Sequence, residues 1–421
     1  MDALLLVLVC AVASAVLFYF GTGLAPIGAL TWLAPLPILW LAPALPWWGA
    51  VGLALAAWIA GATNMISYYA RDLGLPVPLV ARFTLMGGLL LAGAVTAFRA
   101  LILAGQPLMA ALALPLIWVA GEFLTSVTQP HGAWWSLAYT QSSSRFILQP
   151  LALTGVWGLS FLILFTPAAI AAAVLAERKT AIIAAAAVVL LAAATFSAVR
   201  LTTTAKGLTV RVGLIALSQQ QDPVRLPSPL LQSYLDGMRD LAERGATTIV
   251  APEAVFRVDE PDLAQLTDAL SALSRETHAT LVLGAVVGTS NTALVASPDG
   301  QLHRYAKQHL IPDLEDNLKP GSGTLVLDGG IGVLICKDLD FPAAVRDTRA
   351  AGALLLVAPA WDFDRDGWLH SRMALARSVQ FGMPVLRSAR AGRLTVIDPY
   401  GRVIAEAAYP GSLVADVTVP A

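Results

Sequence analysis

The chain has 421 residues, enough for two or three domains, and a formal net charge of −1 without any run of Lys or Arg, which excludes a nucleic-acid footprint. Its charge is unevenly spread: the first 200 residues hold only eleven of the 28 acidic and 27 basic side chains. That division excludes a chain soluble throughout and points to one half in lipid and the other in water.

The first segment, "MDALLLVLVCAVASAVLFYF", is apolar enough to span a bilayer and lacks the basic start of a signal peptide, so a retained membrane helix is expected. Cys10 lies in "VLVC", a poor lipobox, and reads as an ordinary apolar position. Further runs of spanning length fall at 26–45, 48–70, 77–104, 107–125, 150–176 and 180–198, about seven helices within a membrane domain over 1–200. The second is interrupted by prolines. The charged loop "AERKT" (176–180) is expected in the cytoplasm, so the last helix delivers the remaining chain to the outer face. Arg99 agrees with this orientation, whereas Arg82 and Arg145 fall on the other side. An odd number of helices also puts the two ends of the bundle on opposite faces. Glu122, in "PLIWVAGEFLTS", is a carboxylate at a membrane boundary, either paired or reaching for water. The loop "TQPHGAWWSLAYTQ" (128–141) gathers aromatics that suit an interfacial belt or a lipid entrance.

A second domain is expected over 208–421. "LTVRVGLIAL" reads as a strand, and "SPLLQSYLDGMRDLAERG" as a helix with apolar residues at 230, 231, 234, 235, 238, 241 and 242 and Gly245 as its stop. Strands then alternate with helices over 261–277, 343–351 and 366–381, and several hairpins intervene, the pattern of a layered α/β domain. Three polar residues stand where strands run out: Glu253 after "TTIVAP", Lys307 after "QLHRYA" and Cys336 after "IGVLI". Strand ends form the rim of such a sheet, the usual place for chemistry. Together the three suit a base, an oxyanion-side cation and a nucleophile. Taken singly, each fits a structural role as well. Cys10 and Cys336 fall in different halves, so no disulfide is expected, and the five histidines have no zinc-type spacing. Neither metal nor cofactor is expected.

In their order, "VAPEAVF", "YAKQHLIPDLE" and "LICKDLDFP" resemble the Glu–Lys–Cys motifs of the nitrilase, or carbon–nitrogen hydrolase, superfamily. A multi-spanning bundle before such a domain resembles the apolipoprotein N-acyltransferases. The resemblance implies an αββα sandwich on an α-helical membrane bundle, in the cytoplasmic membrane with the catalytic domain outside. It also implies ping-pong chemistry without a cofactor. Cys336 takes an acyl chain from a phospholipid as a thioester, then passes it to the α-amine of a lipoprotein's N-terminal cysteine or to a related amine. Glu253 is carried over as base, Lys307 as the oxyanion-side residue and Glu315 as the group orienting Lys307; His309 matches a motif histidine with a structural part.

The sequence departs from that family at several points. Lys337 and Asp338 follow the cysteine where the acyltransferases have an aromatic residue and Glu, and Cys-x-Asp with "FP" is closer to soluble amidases. "DNLKPGSG" replaces a long apolar arm after Glu315, "APAWDFD" supplies Trp361 and Phe363 as aromatic equivalents, and Gln380 stands for a helix glutamate. The sequence ends at "VADVTVPA" without the family's terminal membrane helix. An alternative reading is therefore a membrane-anchored amidase in which water accepts the acyl group. A third is an idle binding or scaffold protein, which the retained Glu253, Lys307 and Cys336 argue against.

Overall fold

Alanine- and leucine-rich runs with few charges make the helices of the first half, because in hydrocarbon a helix alone meets every backbone group within one segment. In the computed structural model, which describes residues 3–218 and 222–420, these are α1 (Ala3–Gly21), α2 (Leu36–Leu41), α3 (Trp47–Gly61), α4 (Val77–Leu103), α5 (Pro107–Thr128), α6 (Arg145–Leu148), α7 (Leu151–Leu175) and α8 (Thr180–Thr202). Among the described residues six helical stretches are long and apolar enough to cross a membrane: α1, α3 with its extension to Met65, α4, α5, α7 and α8. The span expected over 26–45 differs. It is split into a 3-10 turn at Gly28–Trp32, the short α2 and a second 3-10 turn at Ala42–Ala44. Pro35, Pro37 and Pro43 each remove a backbone donor there and break the ladder. Gln141 compensates, donating to the Gly28 carbonyl (2.9 Å) and Thr31 Oγ1 (2.8 Å) and accepting from Trp32 Nε1 (2.9 Å).

Close helix approach uses small residues. A Cβ on Gly61 of α3 would lie 2.5 Å from Phe18 Cβ of α1. Glu122 does not reach for water. It is buried and accepts from Trp118 Nε1 (2.9 Å), Leu137 N (2.8 Å) and Ser136 Oγ (3.1 Å), so it pins the 135–141 loop onto α5.

The second unit comprises Thr203 onward together with the short segment Thr128–Trp134. One sheet contains β1 (Gly207–Ala216), β2 (Val224–Arg225), β3 (Thr248–Val250), β4 (Phe256–Val258), β5 (Thr280–Val287), β6 (Ser290–Ala296), β7 (Leu302–Ala306) and the last strand, β14 (Gly411–Pro420). Its order is β14-β1-β3-β5-β4-β2, with β6 on β5 and β7 on β6. The other sheet runs β13-β12-β11-β10-β9-β8, from β8 (Leu325–Leu327), β9 (Ile331–Val333), β10 (Leu355–Trp361), β11 (Val385–Arg390), β12 (Arg393–Ile397) and β13 (Val403–Ala408). Helices α9 (Pro229–Glu243) and α10 (Leu263–Thr277) cover the first sheet, and α11 (Pro342–Ala350) and α12 (Gly367–Phe381) cover the second. The layers are therefore αββα. The α9 stripe buries Leu231, Tyr234, Met238 and Leu241 against the first sheet. Each large apolar side chain so buried contributes at most about 1.5–3 kcal/mol. Between the sheets, Ser388 Oγ donates to the Ile215 carbonyl (2.9 Å).

Candidate active site

Glu253 sits in an arch. β3 pairs with β5 along Thr280–Val282 and β4 pairs with the same edge along Ala285–Val287, so residues 251–255 between them leave the ladder. Gly284 makes room for this: a Cβ there would lie 2.4 Å from the Pro252 oxygen and 2.5 Å from Glu253 Cα. Ala251 N to Val282 O and Val255 N to Gly284 O, each 2.8 Å, hold the feet of the arch. The carboxylate is buried, and its Oε2 has no hydrogen-bond partner among the described residues.

Lys307 follows β7, its backbone N–H still paired with the Asn291 carbonyl of β6 (2.8 Å). Its Nζ donates to Glu253 Oε1 and Glu315 Oε2, both at 2.8 Å, with only 1% of the lysine side chain exposed. Asn291 Nδ2 bridges the same two carboxylates, donating to Glu253 Oε1 (2.7 Å) and Glu315 Oε1 (2.8 Å). Ile311 N completes the set at Glu315 Oε2 (2.8 Å).

Cys336 opens a 3-10 turn, Cys336–Asp340, just past β9, with φ +42°. A residue other than glycine in that region costs on the order of 1–3 kcal/mol, so the surroundings must hold it. Asp338 is the main restraint. Its Oδ1 accepts from Gln308 N (3.2 Å), His309 N (2.9 Å) and His309 Nδ1 (2.9 Å), and its Oδ2 from Tyr305 Oη (2.9 Å) and Ile335 N (3.1 Å). One buried carboxylate thereby ties the loop carrying Lys307 to the turn carrying Cys336. His309 also stacks on Phe341, centroids 3.6 Å apart. The turn's carbonyls are met by Arg377 Nε at Leu339 (2.7 Å) and by Ala133 N at Asp340 (2.8 Å). The Cys336 thiol donates to the Trp361 carbonyl (3.5 Å), and the Trp361 ring carries the Arg390 guanidinium 3.7 Å from its centroid.

The electrostatics separate the two glutamates. Burial pushes Glu253 up despite Lys307, whereas at Glu315 the lysine and its hydrogen bonds outweigh burial and hold the carboxyl below its usual range. Burial opposes the Lys307 charge, but Glu253, Glu315 and Cys336 overcome it and raise its pKa. Burial drives the Cys336 thiol well above its ordinary value, with Glu253 adding to the rise and Lys307 and Arg387 opposing it. The thiol is therefore protonated at rest and needs a base. Two carboxyls around one lysine are thus pushed in opposite directions, Glu253 toward its neutral form and Glu315 toward its charged form.

A second ionic group borders the thiol. Arg387 of β11 pairs with Asp362 just after β10, Nη1 to Oδ2 at 2.8 Å and Nη2 to Oδ1. His370 of α12 pairs with Asp366 (3.2 Å) and lies against the Trp134 ring, centroids 4.9 Å apart at a 35° tilt. Asp362, Asp366 and His370 bring possible metal ligands within 4.8 Å of one another. Their chemistry fits an ion-pair network better: Arg387 already occupies Asp362. Burial disfavours charge on His370, but Asp366, Asp362 and Asp340 lift it to about 9, so its nitrogens carry protons at neutral pH. Lys337 is buried with its Nζ on the Leu310 carbonyl (3.1 Å), and burial lowers it to about 8.

Glu253, Lys307, Glu315 and Cys336 thus lie in one buried cluster, while Asp338, Lys337 and Trp361 surround the cysteine as described. Sequence reasoning missed Asn291, Arg387, Asp362 and His370. Asn291 lies in "GTSNTALVAS", at the polar start of an apolar run, and Arg387, in "MPVLRS", is a charge directly after one; each was a polar residue in a strand that is largely buried. Gln380 accepts from Arg377 Nη1 (2.7 Å).

Residues 211–420 match the family model described as carbon-nitrogen hydrolase, and residues 14–169 the model described as apolipoprotein N-acyltransferase N-terminal domain. The chain is 26% identical over 344 residues to an apolipoprotein N-acyltransferase of Geobacter metallireducens, covering 69% of this chain and 65% of that one. It therefore spans just under two thirds of that relative's length. It is 31% identical over 130 residues to an (R)-stereoselective amidase of a Pseudomonas species, covering 28% and 47% respectively. Among solved structures, an amidase from Nesterenkonia sp. aligns with 24% identity over 52% of this chain and 94% of its own, with a TM-score of 0.41.

Proposed function

As an apolipoprotein N-acyltransferase-like membrane protein, the chain belongs to the carbon–nitrogen hydrolase superfamily, and from that premise we propose that it moves an acyl chain from a phospholipid through a Cys336 thioester to the α-amine of a lipoprotein. The observation that carries the reading is the division at Lys307: one carboxylate is fully engaged, and the other keeps a buried, unpartnered oxygen beside a protonated thiol.

The steps follow from these groups. Glu253 Oε2 takes the thiol proton as Sγ attacks the ester carbonyl, and the charge passes to the carbonyl oxygen. Lys307 and the backbone N–H groups after Cys336 face that oxyanion. Collapse breaks the ester C–O bond, and the departing lysophospholipid oxygen takes the proton back from Glu253. The amine then attacks the thioester, Glu253 accepts the amine proton, and the Cys336 sulfur leaves as the amide forms, recovering that proton. General base help of this kind contributes on the order of 10²–10⁴-fold. Asp338 and Asn291 position these groups without touching substrate.

The membrane half supports the lipid donor, since an acyl chain needs an apolar environment on its way to Cys336. The basic loop at 176–180 supports an orientation in which the soluble half lies outside the cytoplasmic membrane. The Cys-x-Asp sequence and the local similarity to an amidase favour a second reading, in which water takes the acyl group.

Detergent-purified protein incubated with phospholipid labelled in its acyl chain should acquire a hydroxylamine-labile label on Cys336, absent in Cys336→Ala. Adding a diacylglyceryl-cysteine peptide should then transfer the label to the peptide amine. Folded wild type that stays unlabelled rules out the lipid donor. A labelled thioester that decays to free fatty acid with peptide present rules out the transferase and leaves hydrolysis.

A further inference from the structure

Outside the candidate site, the bundle carries a groove of about 490 Å³ between α5, α7 and α8, within the roughly 300–1,000 Å³ typical of ligand sites. Val119, Leu153, Trp157, Phe161, Ala193 and Phe196 line it. Thr154 also faces it but returns its hydroxyl to the Pro150 carbonyl (3.0 Å). Two glycines shape the α7 wall. Gly155 breaks the helix at φ 61°, ψ −165°, a conformation open essentially to glycine alone, and Gly158 presents no side chain. From Pro150 to Leu162 the wall runs roughly 18 Å at about 1.5 Å per residue. That compares with the roughly 15 Å that is half of a ~30 Å hydrocarbon core. The groove thus has the length of a lipid chain in one leaflet.

Basic residues lie next to the Pro150 end of the groove. Gln149, fully buried next to Pro150, donates to the Arg145 carbonyl (2.6 Å) and accepts from Arg200 Nε (2.9 Å). Arg200 lies one turn beyond Phe196, in the last turn of α8. Arg145 keeps a buried Nε with no hydrogen-bond partner among the described residues. Two arginines linked through Gln149, next to the Pro150 end of an apolar groove, suit an amphiphile with an anionic head. Because the walls belong to helices of membrane-spanning length, bilayer lipid is the amphiphile at hand.

We infer that this groove is a binding site for an anionic phospholipid, one acyl chain lying between α7 and α8 and the phosphate on Arg145 and Arg200. The inference concerns binding and holds whether or not the chain transfers acyl groups.

The test uses the full chain in detergent with phosphatidylglycerol carrying a photoactivatable diazirine in one chain, followed by peptide mapping. Labels should concentrate within residues 150–162 and 192–196. Unlabelled phosphatidylglycerol should compete at least fivefold better than diacylglycerol or oleic acid with matching chains. Ala193→Trp should fill the groove and cut labelling at least fivefold. Leu191→Trp, at a position 66% exposed on another face of α8, should leave it unchanged. The double variant Arg145→Gln, Arg200→Gln should erase the preference for phosphatidylglycerol. Labels spread evenly over the lipid-facing helices, α1 included, overturn the site. Equal competition by diacylglycerol or oleic acid overturns the phosphate assignment. The competition is read on wild type, so it decides the matter even if Ala193→Trp fails to fold.

Discussion

Replacing Asp338 with Asn changes one oxygen for an NH₂ group and should cost far more than that similarity suggests. Asp338 Oδ1 faces two backbone N–H groups, and Oδ2 faces one backbone N–H and the Tyr305 hydroxyl. Whichever way the amide is turned, its NH₂ confronts at least one backbone donor that cannot reverse. Turned the cheaper way, it orphans Ile335 N, at about 1–3 kcal/mol. The three bonds kept on the other oxygen lose their charge assistance, about 1 kcal/mol each. Allowing for non-additivity, the loss is about 4 kcal/mol. For a unit of this size, 1 kcal/mol shifts Tm by roughly 2–4 °C, so the soluble unit should melt roughly 8–16 °C lower. Differential scanning fluorimetry in detergent measures this, alongside the iodoacetamide alkylation rate of Cys336. A D338N protein with wild-type Tm and wild-type alkylation would refute the claim that this carboxylate holds the Lys307 loop against the Cys336 turn.

Glu253→Gln should slow thioester formation by about 10²–10⁴-fold while leaving Tm within a few degrees, as read by label incorporation; an unchanged rate removes the residue as base. Because Glu253 is pushed above the ordinary carboxylate range, thioester formation should rise with pH through a midpoint above about 4.5, and a midpoint below it contradicts the assignment. His370 is raised from 6.5 to about 9, so its stabilisation is complete below pH 6.5 and disappears as pH climbs through about 9. The Tm difference between wild type and His370→Gln should therefore shrink across that window, starting from up to about 3 kcal/mol. Lys337 is lowered to about 8, so its buried charge destabilises below pH 8 and that penalty fades toward 10.5. Lys337→Met should melt no lower than wild type at pH 7, and a lower Tm would show that the bond to Leu310 outweighs the cost of burial.

The layered α/β half was legible because its strands and helices follow clean periodicities, and α9 shows how closely pattern and burial agree. The strand-end positions of Glu253, Lys307 and Cys336 were legible for the same reason. Their mutual distances were not, since these depend on an arch opposite Gly284 that no local pattern announces. The segment over 26–45 misled because hydropathy counts apolar residues without weighing the donors that three prolines remove. Asn291 and Arg387 were hidden by their strands: alternation tells which face a residue takes, yet not that a polar residue there meets a carboxylate just past the end of another strand of the same sheet. Lys337 and Asp338 stood out as departures from the family motif, but only the hydrogen bonds distinguish a restraining carboxylate from a lysine buried at a cost.

The short segment between α5 and the 135–141 loop has a consequence for how this protein is made. Thr128–Trp134 belongs to the soluble unit, although about seventy residues of membrane helix and loop separate it from the rest of that unit in the sequence. Ala133 meets the Asp340 carbonyl, Trp134 covers His370, and a Cβ on Gly132 would lie 2.6 Å from the Asp340 oxygen. The Cys336 turn is thus finished by a strip of chain synthesised some two hundred residues before it. A ribosome product cut back to Thr203 onward contains every residue of the Glu–Lys–Cys cluster and still lacks the piece that closes over it. The soluble unit is therefore assembled from both sides of the last two membrane helices in the sequence, and the order of synthesis obliges that strip to wait for its partner to emerge.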